Sequence, residues 1–404
     1  MNVGLYISDI HPSDGGGYTF VVELLSTLNR MREACNHKLI ICHDEVGERI
    51  ARMFPQFPRL NLEREKGSVI TAGERILELL LPNPLQRAYR KLRPPTTLTW
   101  EDRILTRAGI QFVVCVLPWQ ISSMNIPFAV TIWDLQHRNN PWFPEVSQLY
   151  EWDRRESVSR VLQRASMIYT GTQRGCKEIA SYYQVPQEHI KVLPFATPVF
   201  ALEAAKRPLR PECLRKWGLS SEYIFYPAQF WPHKNHVLVL EACKILRDTV
   251  GWNPTAVFTG SEKGNLDHVR EYARRLGLTD QVKFLGFVEQ NDLIDLYKGA
   301  FCLVFPTFCG PDNLPPLEAF ALGCPVIASE VPGAREQLGD AAILIPPTNE
   351  RALAEAIMSL RDQDTRKRFI KSGHARARAT NWDDYVRGLL ESWDQFAAVR
   401  RAWR

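Results

Sequence analysis

Residues 305–329 have the sequence FPTFCGPDNLPPLEAFALGCPVIAS, and this stretch decides the predicted fold. The apolar run 301–305 is typical of a buried strand, and a second apolar run begins at Pro325. Between them lie a loop rich in Pro, Gly, Asp and Asn at 306–313 and a predicted helix at 315–322. A strand, a polar loop and a helix start present backbone N–H groups to a ligand. The stretch therefore predicts a binding loop in an α/β domain, although an ordinary crossover between strands has the same pattern.

Three features of this stretch define the helix and its chemistry. Pro315 and Pro316 suit the first turn of a helix, where a missing N–H costs nothing, and Gly323 suits its end. Glu318 then lies in the first turn or just past it, and its carboxylate can accept hydrogen bonds from sugar hydroxyls. Taken alone, this glutamate fits an exposed surface position equally well.

The composition is that of a soluble globular protein. The chain has 404 residues, 45% apolar and 24% charged, which suggests two or three domains. A net charge of +5 is too small to indicate nucleic acid, although it permits a weak preference for anionic substrates or an anionic membrane surface. The N-terminal MNVGLYISDI has no basic segment of a signal peptide, and no apolar run is long enough to span a bilayer. We expect a cytoplasmic protein, peripheral at most to the inner face of the cell membrane.

The cysteines and acidic residues predict no metal and no cofactor. The nine cysteines include no CxxC pair, and several lie in apolar runs. Buried free thiols in a reducing compartment explain them better than a zinc site. The DxD spelling at 362–364 lies between predicted helices, and we interpret Asp364 as a helix N-cap.

Short apolar segments alternate with helical patterns along the chain, which is typical of parallel sheets with right-handed crossovers. The predicted strands are 3–7, 38–42, 111–117, 128–133, 165–171, 190–193, 223–227, 256–259, 282–285, 301–305, 326–329 and 342–345. A segment rich in Ala, Arg and Pro at 200–215 is interpreted as a linker. The sequence therefore predicts an α/β fold of two doubly wound, Rossmann-like domains, at 1–200 and 201–380, with a ligand cleft between them.

The region 44–107 is mostly helical by pattern and is broken by proline clusters. Within it, ILELLL at 76–81 precedes a basic segment at 86–93. One interpretation is a helix packed on the core and followed by a solvated basic turn. The other is a patch that contacts a membrane surface.

Several predicted strands of the second domain end at residues suited to ligand binding, because ligands of doubly wound domains bind at the carboxyl ends of strands. Lys234 follows the first of these strands and can supply a compact positive charge for a phosphate. Gly260 follows the second strand and Val288 follows the third, in segments whose small residues let a ligand approach the backbone. Each segment alone also fits an ordinary loop.

Four motifs occur in a fixed order along the chain: GGG at 15–17, WDLQH at 133–137, PHKN at 232–235 and GPDNLPPLEAFALGCPVIAS at 310–329. Together they resemble the retaining glycosyltransferases with the GT-B fold, of the group 1 (family 4) type, which use nucleotide-sugar donors. The resemblance covers nearly the whole chain; it is specific over 223–347 and looser over 1–200. It implies that the first domain binds the acceptor, that the second binds the nucleotide sugar, and that 381–404 form a helix packing back towards the first domain.

The resemblance carries over to individual residues on the phosphate side of the donor. It implies that Lys234 contacts the diphosphate. An Arg usually stands five residues earlier in the family, but this chain has Gln229 there, so half of the usual cationic pair is missing. Gly260 and Val288 are expected along the same donor site.

The family signature also pairs two Glu with seven residues between them. The second matches Glu318 and is implied to bond the donor ribose, whereas the first matches Gly310, which has no carboxylate. Asp312 or Asn313 is the candidate replacement. The backbone amides of Asn313 and Leu314 match those that hold phosphate in the family.

In the first domain the resemblance gives Gly16 and Gly17 to a loop that meets the diphosphate or the acceptor. The family has a His before an Asp near the reacting sugar. Here Trp133 precedes Asp134, and His137 follows three residues later, so Asp134 and His137 join Lys234 as the catalytic candidates, although His137 also fits an ordinary loop histidine. The aromatic-rich loop 133–143 either faces the acceptor or packs between the domains.

The resemblance implies a retaining, metal-independent transfer of a sugar from a nucleoside diphosphate donor to a glycan or lipid-linked acceptor. GDP-mannose is the expected donor, by analogy with mannosyltransferases of bacterial surface polysaccharide biosynthesis. Two alternatives stay open: an epimerase or phosphorylase of the same fold, and a catalytically decayed protein that only binds nucleotide sugars. The missing Arg and Glu at positions 229 and 310 motivate the second alternative.

Overall fold

A computed structural model of the protein describes residues 1–7, 10–63, 65, 99–118, 124–148, 151–220, 222–310 and 312–403, without the side chain of Asp14. The apolar segment 76–81 and the basic segment 86–93 lie outside these residues. The choice between a packed helix and a membrane patch for them therefore stays open.

Two parallel sheets organise the described residues. Their strands are β1 Asn2–Ile7, β2 Lys38–His43, β3 Arg59–Asn61, β4 Phe112–Cys115, β5 Phe128–Thr131, β6 Met167–Thr170, β7 Ile190–Val192, β8 Tyr223–Pro227, β9 Ala256–Thr259, β10 Val282–Phe284, β11 Ala300–Phe305, β12 Val326–Ser329 and β13 Ala342–Ile345. The first sheet has the order β3-β2-β1-β4-β5-β6-β7 and the second the order β10-β9-β8-β11-β12-β13. Both are doubly wound, so the predicted fold class is confirmed.

Helices connect these strands and cover the sheets. They are α1 Gly16–Arg30, α2 Glu48–Met53, α3 Trp100–Arg107, α4 Gln136–Asn139, α5 Pro144–Ser147, α6 Glu151–Ser159, α7 Gln173–Tyr183, α8 Val199–Ala204, α9 Pro211–Lys216, α10 His236–Ile245, α11 Leu266–Arg275, α12 Gln290–Gly299, α13 Leu314–Ala321, α14 Ala334–Leu338, α15 Glu350–Ser359, α16 Gln363–Ala379 and α17 Trp382–Arg400. Within the described ranges, no helix is both long enough and apolar enough to cross a membrane.

The predicted site loops follow strands that lie at the point in each sheet where the strand order reverses. In the second sheet β8 and β11 are neighbours, so the loop after β8, which carries Lys234, lies beside the loop 306–313 after β11. In the first sheet the glycine loop follows β1, which lies beside β4 at the point where the strand order reverses. Ligands of open α/β sheets bind at this position, outside the carboxyl ends of the strands.

The last helix of the chain packs on the first domain. Trp382 of α17 contacts Phe20 of α1 with ring centroids 5.4 Å apart. Further along α17, Ser392 Oγ lies 2.9 Å from the Tyr169 hydroxyl, and Trp393 Nε1 donates to the same hydroxyl at 3.0 Å. Because these groups are buried, the hydrogen bonds fix the position of α17 relative to β6 of the first domain.

Some local predictions were wrong for identifiable reasons. The predicted linker contains α8 and α9, and the short strand β3 was missed. The N-cap of α16 is Asp362, which accepts from the Thr365 N–H at 2.8 Å, and not Asp364, which lies inside the helix. Acidic residues two apart offer the same N-cap signal at either position, and only the helix start distinguishes them.

Candidate active site

A cavity of about 480 Å³ lies between the two domains, and we call it the large cavity. Both domains line it. From the predicted site it includes Gly16, Gly17, Asp134, Gln229, Lys234, Gly260, Val288, Asp312, Asn313, Leu314 and Glu318. Predicted site residues as far apart in the chain as Gly16 and Glu318 therefore meet in one crevice.

Lys234 is the cation that the second domain places in this cavity. It ends the 3₁₀ turn Pro232–Lys234, and the Tyr226 hydroxyl donates to its carbonyl oxygen at 2.7 Å. Its Nζ donates to Asn313 Oδ1 at 3.4 Å. Burial lowers the pKa of Lys234, while the nearby acidic groups, including Asp134, favour its charged form. A half-buried ammonium group with one weak neutral partner is well placed to attract an anion.

Two helix N-termini face each other across the large cavity. The helix α1 begins at Gly16, after Gly15 with a φ of 65°, and α13 begins at Leu314. A Cβ added to Gly16 would lie 3.8 Å from Leu314 Cδ1, which shows how closely the two ends approach. In the part of the chain that the structure describes, neither end receives a side-chain cap. The partial positive charges of both helices therefore add to that of Lys234.

The Asn313 amide does not contribute to this positive site as the resemblance implied. Its N–H donates to Gln337 Oε1 at 3.2 Å, and Gln337 Nε2 donates back to the Asn313 carbonyl oxygen at 3.0 Å. Leu314 is the next residue with an N–H, since Pro315 and Pro316 have none. At the start of α13, Leu314 therefore has a backbone N–H to offer to a ligand, whereas the two prolines after it have none.

Glu318 lies in another part of the large cavity. It is buried, and the Tyr297 hydroxyl donates to its Oε2 at 2.7 Å. Burial raises the pKa of Glu318 to about 7, against the effect of the Tyr297 hydrogen bond. The carboxyl group can therefore accept from or donate to a ligand hydroxyl near neutral pH.

Backbone geometry explains the glycine at position 260. Gly260 has a φ of 140°, which side chains rarely adopt, and a Cβ there would lie 2.3 Å from the Ala228 carbonyl oxygen. The loops after β8 and β9 therefore touch at their backbones. Val288, from the loop after β10, is buried beside them and also lines the cavity.

Gln229 joins the domains at the position where the family usually has Arg. Its Nε2 donates to the Ser13 carbonyl oxygen at 2.8 Å, and its Oε1 accepts from Trp231 Nε1 at 2.9 Å. Ser261 Oγ donates to the same Ser13 oxygen at 3.0 Å. The side chain at 229 thus supplies an interdomain hydrogen bond in place of a positive charge.

Asp312 is a half-buried carboxyl group at the contact between the two domains. It packs against Gly171 of the first domain, where an added Cβ would lie 2.3 Å from Asp312 Oδ2. Burial first, then the charges of Glu336 and Asp134, raises the pKa of Asp312 to about 8. At neutral pH it is therefore mostly protonated. Gly310 has a φ of 85°, so this loop takes a conformation that disfavours a glutamate at that position.

The structure does not bring His137 to the large cavity, so its predicted placement was wrong. The ring is fully buried, with Nε2 3.0 Å from the Tyr183 hydroxyl and 3.4 Å from Glu156 Oε2. Burial lowers the pKa of His137 to about 4, so the ring is neutral. The short helix α4 turns residue 137 towards α6 and α7, whereas Asp134, before the helix, lines the cavity. Spacing in the sequence alone does not reveal this helical turn.

A second cavity of about 300 Å³, the small cavity, adjoins the first. The two share five lining residues, Trp133, Asp134, Gln136, Cys309 and Gly310. Amide and charged side chains of the first domain complete the small cavity, namely Asn139, Asn140, Arg174 and Glu178.

The small cavity has no excess of positive charge, because its lining includes Asp134 and Glu178 beside Arg174. Arg174 Nε donates to Glu178 Oε1 at 2.6 Å, and Asn139 Nδ2 donates to Glu178 Oε2 at 2.9 Å. A neutral polar ligand suits such a lining better than an anion does. Asn139 and Asn140 belong to the loop 133–143 that was predicted to face the acceptor or to pack between the domains, whereas no motif indicated Arg174 or Glu178.

The interdomain contacts also include residues that no motif indicated. Glu336 of α14 accepts from the N–H groups of Gln173 and Arg174, at 2.7 and 3.1 Å, at the start of α7. Glu145 of α5 contacts His233, next to Lys234. Among the ranges given above, no group of three His, Cys, Asp or Glu side chains could hold a metal ion.

Comparisons with known proteins agree with this architecture. Residues 215–376 match the family model of glycosyl transferases group 1. O-antigen chain mannosyltransferase B of Escherichia coli is 28% identical over 235 residues, which cover 57% of this chain and 60% of that protein. O-antigen chain mannosyltransferase RfbU of Salmonella typhimurium is 32% identical over 133 residues, or 32% of this chain and 36% of that protein. The chain thus spans less than two thirds of the length of either relative.

Solved structures share the arrangement of the whole chain. The Anabaena protein HepE, in complex with UDP and glucose, superposes with a TM-score of 0.70 at 16% identity, covering 98% of this chain and 100% of that chain. At this identity the likeness concerns the fold. Residues 215–376 therefore form a group 1 glycosyl transferase domain, and the two-sheet architecture is that of the GT-B fold.

Proposed function

We propose that this protein transfers a hexose from a nucleoside diphosphate sugar to a hydroxyl of a glycan or lipid-linked acceptor, with retention of the anomeric configuration and without a metal ion. One observation carries the proposal. The Lys234 ammonium group and the N-termini of α1 and α13 converge on one cavity that also holds the Glu318 carboxyl group. That combination matches a ligand with a diphosphate at one position and a hydroxylated ribose at another.

The chemistry needs positive potential more than it needs a nucleophile. The bond between the anomeric carbon and the phosphate oxygen breaks, and its electron pair stays on the departing diphosphate. Lys234 and the two helix N-termini stabilise that charge from fixed positions. The acceptor oxygen forms the new bond on the same face, and its proton passes to the departing phosphate oxygen. Asp134 lies where the two cavities meet, close to the expected position of the transferred sugar.

The small cavity is the proposed acceptor site. Its amide side chains and its paired Arg174 and Glu178 suit the hydroxyl groups of a neutral sugar. Trp142, two residues after Asn140 in the sequence, is 68% exposed and offers a ring on which a sugar could stack. A hydroxyl group of an acceptor bound in the small cavity would then lie near Asp134, where the two cavities meet and where it could reach the donor sugar in the large cavity.

GDP-mannose is the first donor to test, because the E. coli and Salmonella relatives are named mannosyltransferases. UDP-glucose is the second, because the HepE structure holds UDP and glucose. The O-antigen relatives also support a role in surface polysaccharide biosynthesis, in the cytoplasm or at the inner face of the membrane.

The test is turnover of each donor by the purified protein, with and without a sugar acceptor such as methyl α-mannoside. Lys234→Ala should reduce kcat/KM by about 10²–10³, since it removes one preorganised group from the developing charge. Lys367→Ala, an exposed lysine of α16, is the matched control and should leave turnover unchanged.

Equal turnover by the wild type and Lys234→Ala would overturn the proposal. An epimerised sugar nucleotide formed without acceptor would instead favour an epimerase. Nucleotide binding with neither hydrolysis nor transfer, across a full donor panel, would favour a decayed enzyme.

A further inference from the structure

One carboxylate of the first domain contacts the turn that carries the lysine of the second domain. Glu145 Oε1 accepts from the His233 backbone N–H at 3.2 Å and lies 2.5 Å from His233 Nδ1. Gln136 Nε2 donates to the same oxygen at 3.5 Å. Because His233 immediately precedes Lys234, the position of this carboxylate bears directly on the position of the lysine.

The same turn is tied to the signature loop within its own domain. The His233 carbonyl oxygen accepts from the Phe308 N–H at 2.9 Å and from Thr307 Oγ1 at 3.2 Å. Phe143 of the first domain packs against both parts, with its ring 6.2 Å from that of His233 and 5.6 Å from that of Phe308. Residues 143 and 145 therefore hold the two loops of the second domain from the opposite side of the cleft.

The protonation states agree with a directed hydrogen bond from the histidine to the glutamate. Burial lowers the pKa of His233, so its ring is neutral at pH 7 and Nδ1 can carry the donated proton. For Glu145, burial opposes ionisation, but the bonds from His233 outweigh it and hold the pKa of Glu145 below its usual value. The side chain of Glu145 is only 4% exposed, so this buried charge depends on the interdomain contact.

We propose, on the basis of the proposed function, that Glu145 is a positioning residue for the transfer reaction. It fixes the His233–Lys234 turn, so that the ammonium group of Lys234 meets the leaving diphosphate only while the two domains are closed. The phosphate site is therefore complete only when both domains contribute to it. Opening of the cleft would release the turn and weaken the hold on the product nucleotide.

The experiment separates the phosphate contribution from the rest of nucleotide binding. Calorimetry measures the affinity of each variant for GDP and guanosine, and for UDP and uridine. For the base that the enzyme accepts, Glu145→Ala should weaken binding of the nucleoside diphosphate about tenfold and leave the affinity for the nucleoside unchanged. A loss of about tenfold is the effect expected when hydrogen bonds to the lysine turn are lost. Glu145→Gln keeps an acceptor oxygen for both His233 donors and should stay within about threefold of the wild type.

A double-mutant cycle with Lys234→Ala shows whether Glu145 acts through the lysine. In the Lys234→Ala background, Glu145→Ala should have almost no further effect on diphosphate affinity. Glu336→Ala is the matched control, because it also removes an interdomain carboxylate with two backbone contacts but does not touch the lysine turn. Its effect should be the same whether or not Lys234 is present.

If the Glu145→Ala and Lys234→Ala substitutions weaken diphosphate binding independently, so that the double variant loses the product of the two factors, the inference is overturned. It is also overturned if Glu145→Ala alone binds the diphosphate as tightly as the wild type does. If Lys234→Ala abolishes transfer while Glu145→Ala does not impair it, the proposed function stands and only this inference fails. If Lys234→Ala has no effect on transfer or on diphosphate affinity, both fail.

Discussion

The two domains contribute different things to the large cavity. The second domain contributes functional groups fixed close to strand ends, such as Lys234 after β8 and Glu318 in α13 after β11. The first domain contributes the N-terminus of α1 and side chains that reach across the cleft, among them Glu145. The second domain thus carries the lysine and glutamate of the proposed donor site. The first domain positions the turn that carries the lysine and provides most of the small cavity. We therefore expect substitutions at the strand ends of the second domain to impair folding. We expect substitutions of the first-domain side chains that reach across the cleft to impair assembly of the site.

The largest expected effect tests the rigid backbone of the second domain. Gly260→Ala places a Cβ 2.3 Å from the Ala228 carbonyl oxygen and requires a φ of 140°. We expect a loss of about 3–5 kcal/mol in the free energy of unfolding, because neither backbone can move away cheaply. Thermal and urea unfolding measure it.

The control for this substitution is Gly251→Ala. Gly251 has a φ of 69°, and an added Cβ there has no described neighbour within 4 Å. It should lose only about 1 kcal/mol, the cost of the left-handed conformation alone. Equal losses at 260 and 251 would mean that the backbone contact at Gly260 matters little.

The same local character explains why the second domain could be predicted so well from the sequence. The observed bounds of β8, β9, β12 and β13 equal the predicted ones, because buried parallel strands are continuous apolar runs ended by polar or helix-breaking residues. The contact between Glu145 and His233 joins residues 88 positions apart and has no periodic signal. Likewise, the break between α5 and α6, and the 3₁₀ segment Arg160–Arg164 that follows α6, have no periodic signal in the sequence. What could not be predicted is the set of contacts that only the docking of two domains creates.

A smaller effect is expected where the domains meet at Asp312. Its pKa of about 8 in the folded protein lies above the ordinary value of about 4, so the folded state binds a proton that the unfolded state releases between these pH values. This group therefore lowers stability progressively as the pH rises from about 4 to about 8. Asp312→Asn removes the effect and should stabilise the protein by about 2–3 kcal/mol at pH 6 and by almost nothing at pH 4, since one pKa unit corresponds to about 1.4 kcal/mol.

Thermal unfolding of both proteins across this pH range measures the difference. Glu391→Gln, at an exposed position of α17, is the control and should give parallel curves. A gain from Asp312→Asn that does not change with pH would show that the carboxyl group ionises normally at this interface.

The smallest expected effect concerns His137, whose sequence position suggested catalysis but whose ring is buried behind the cavity wall. His137→Gln keeps one hydrogen-bonding group for Tyr183 or Glu156 and should lower the free energy of unfolding by about 1–2 kcal/mol. We expect kcat to change less than about threefold at a temperature where the variant is folded, because the ring does not line the large cavity. Unfolding and steady-state kinetics on the same samples separate the two quantities. A folded His137→Gln variant with kcat reduced a hundredfold would mean that the first domain supplies reaction chemistry as well as position, and the contrast between the two sides of the cleft would then be lost.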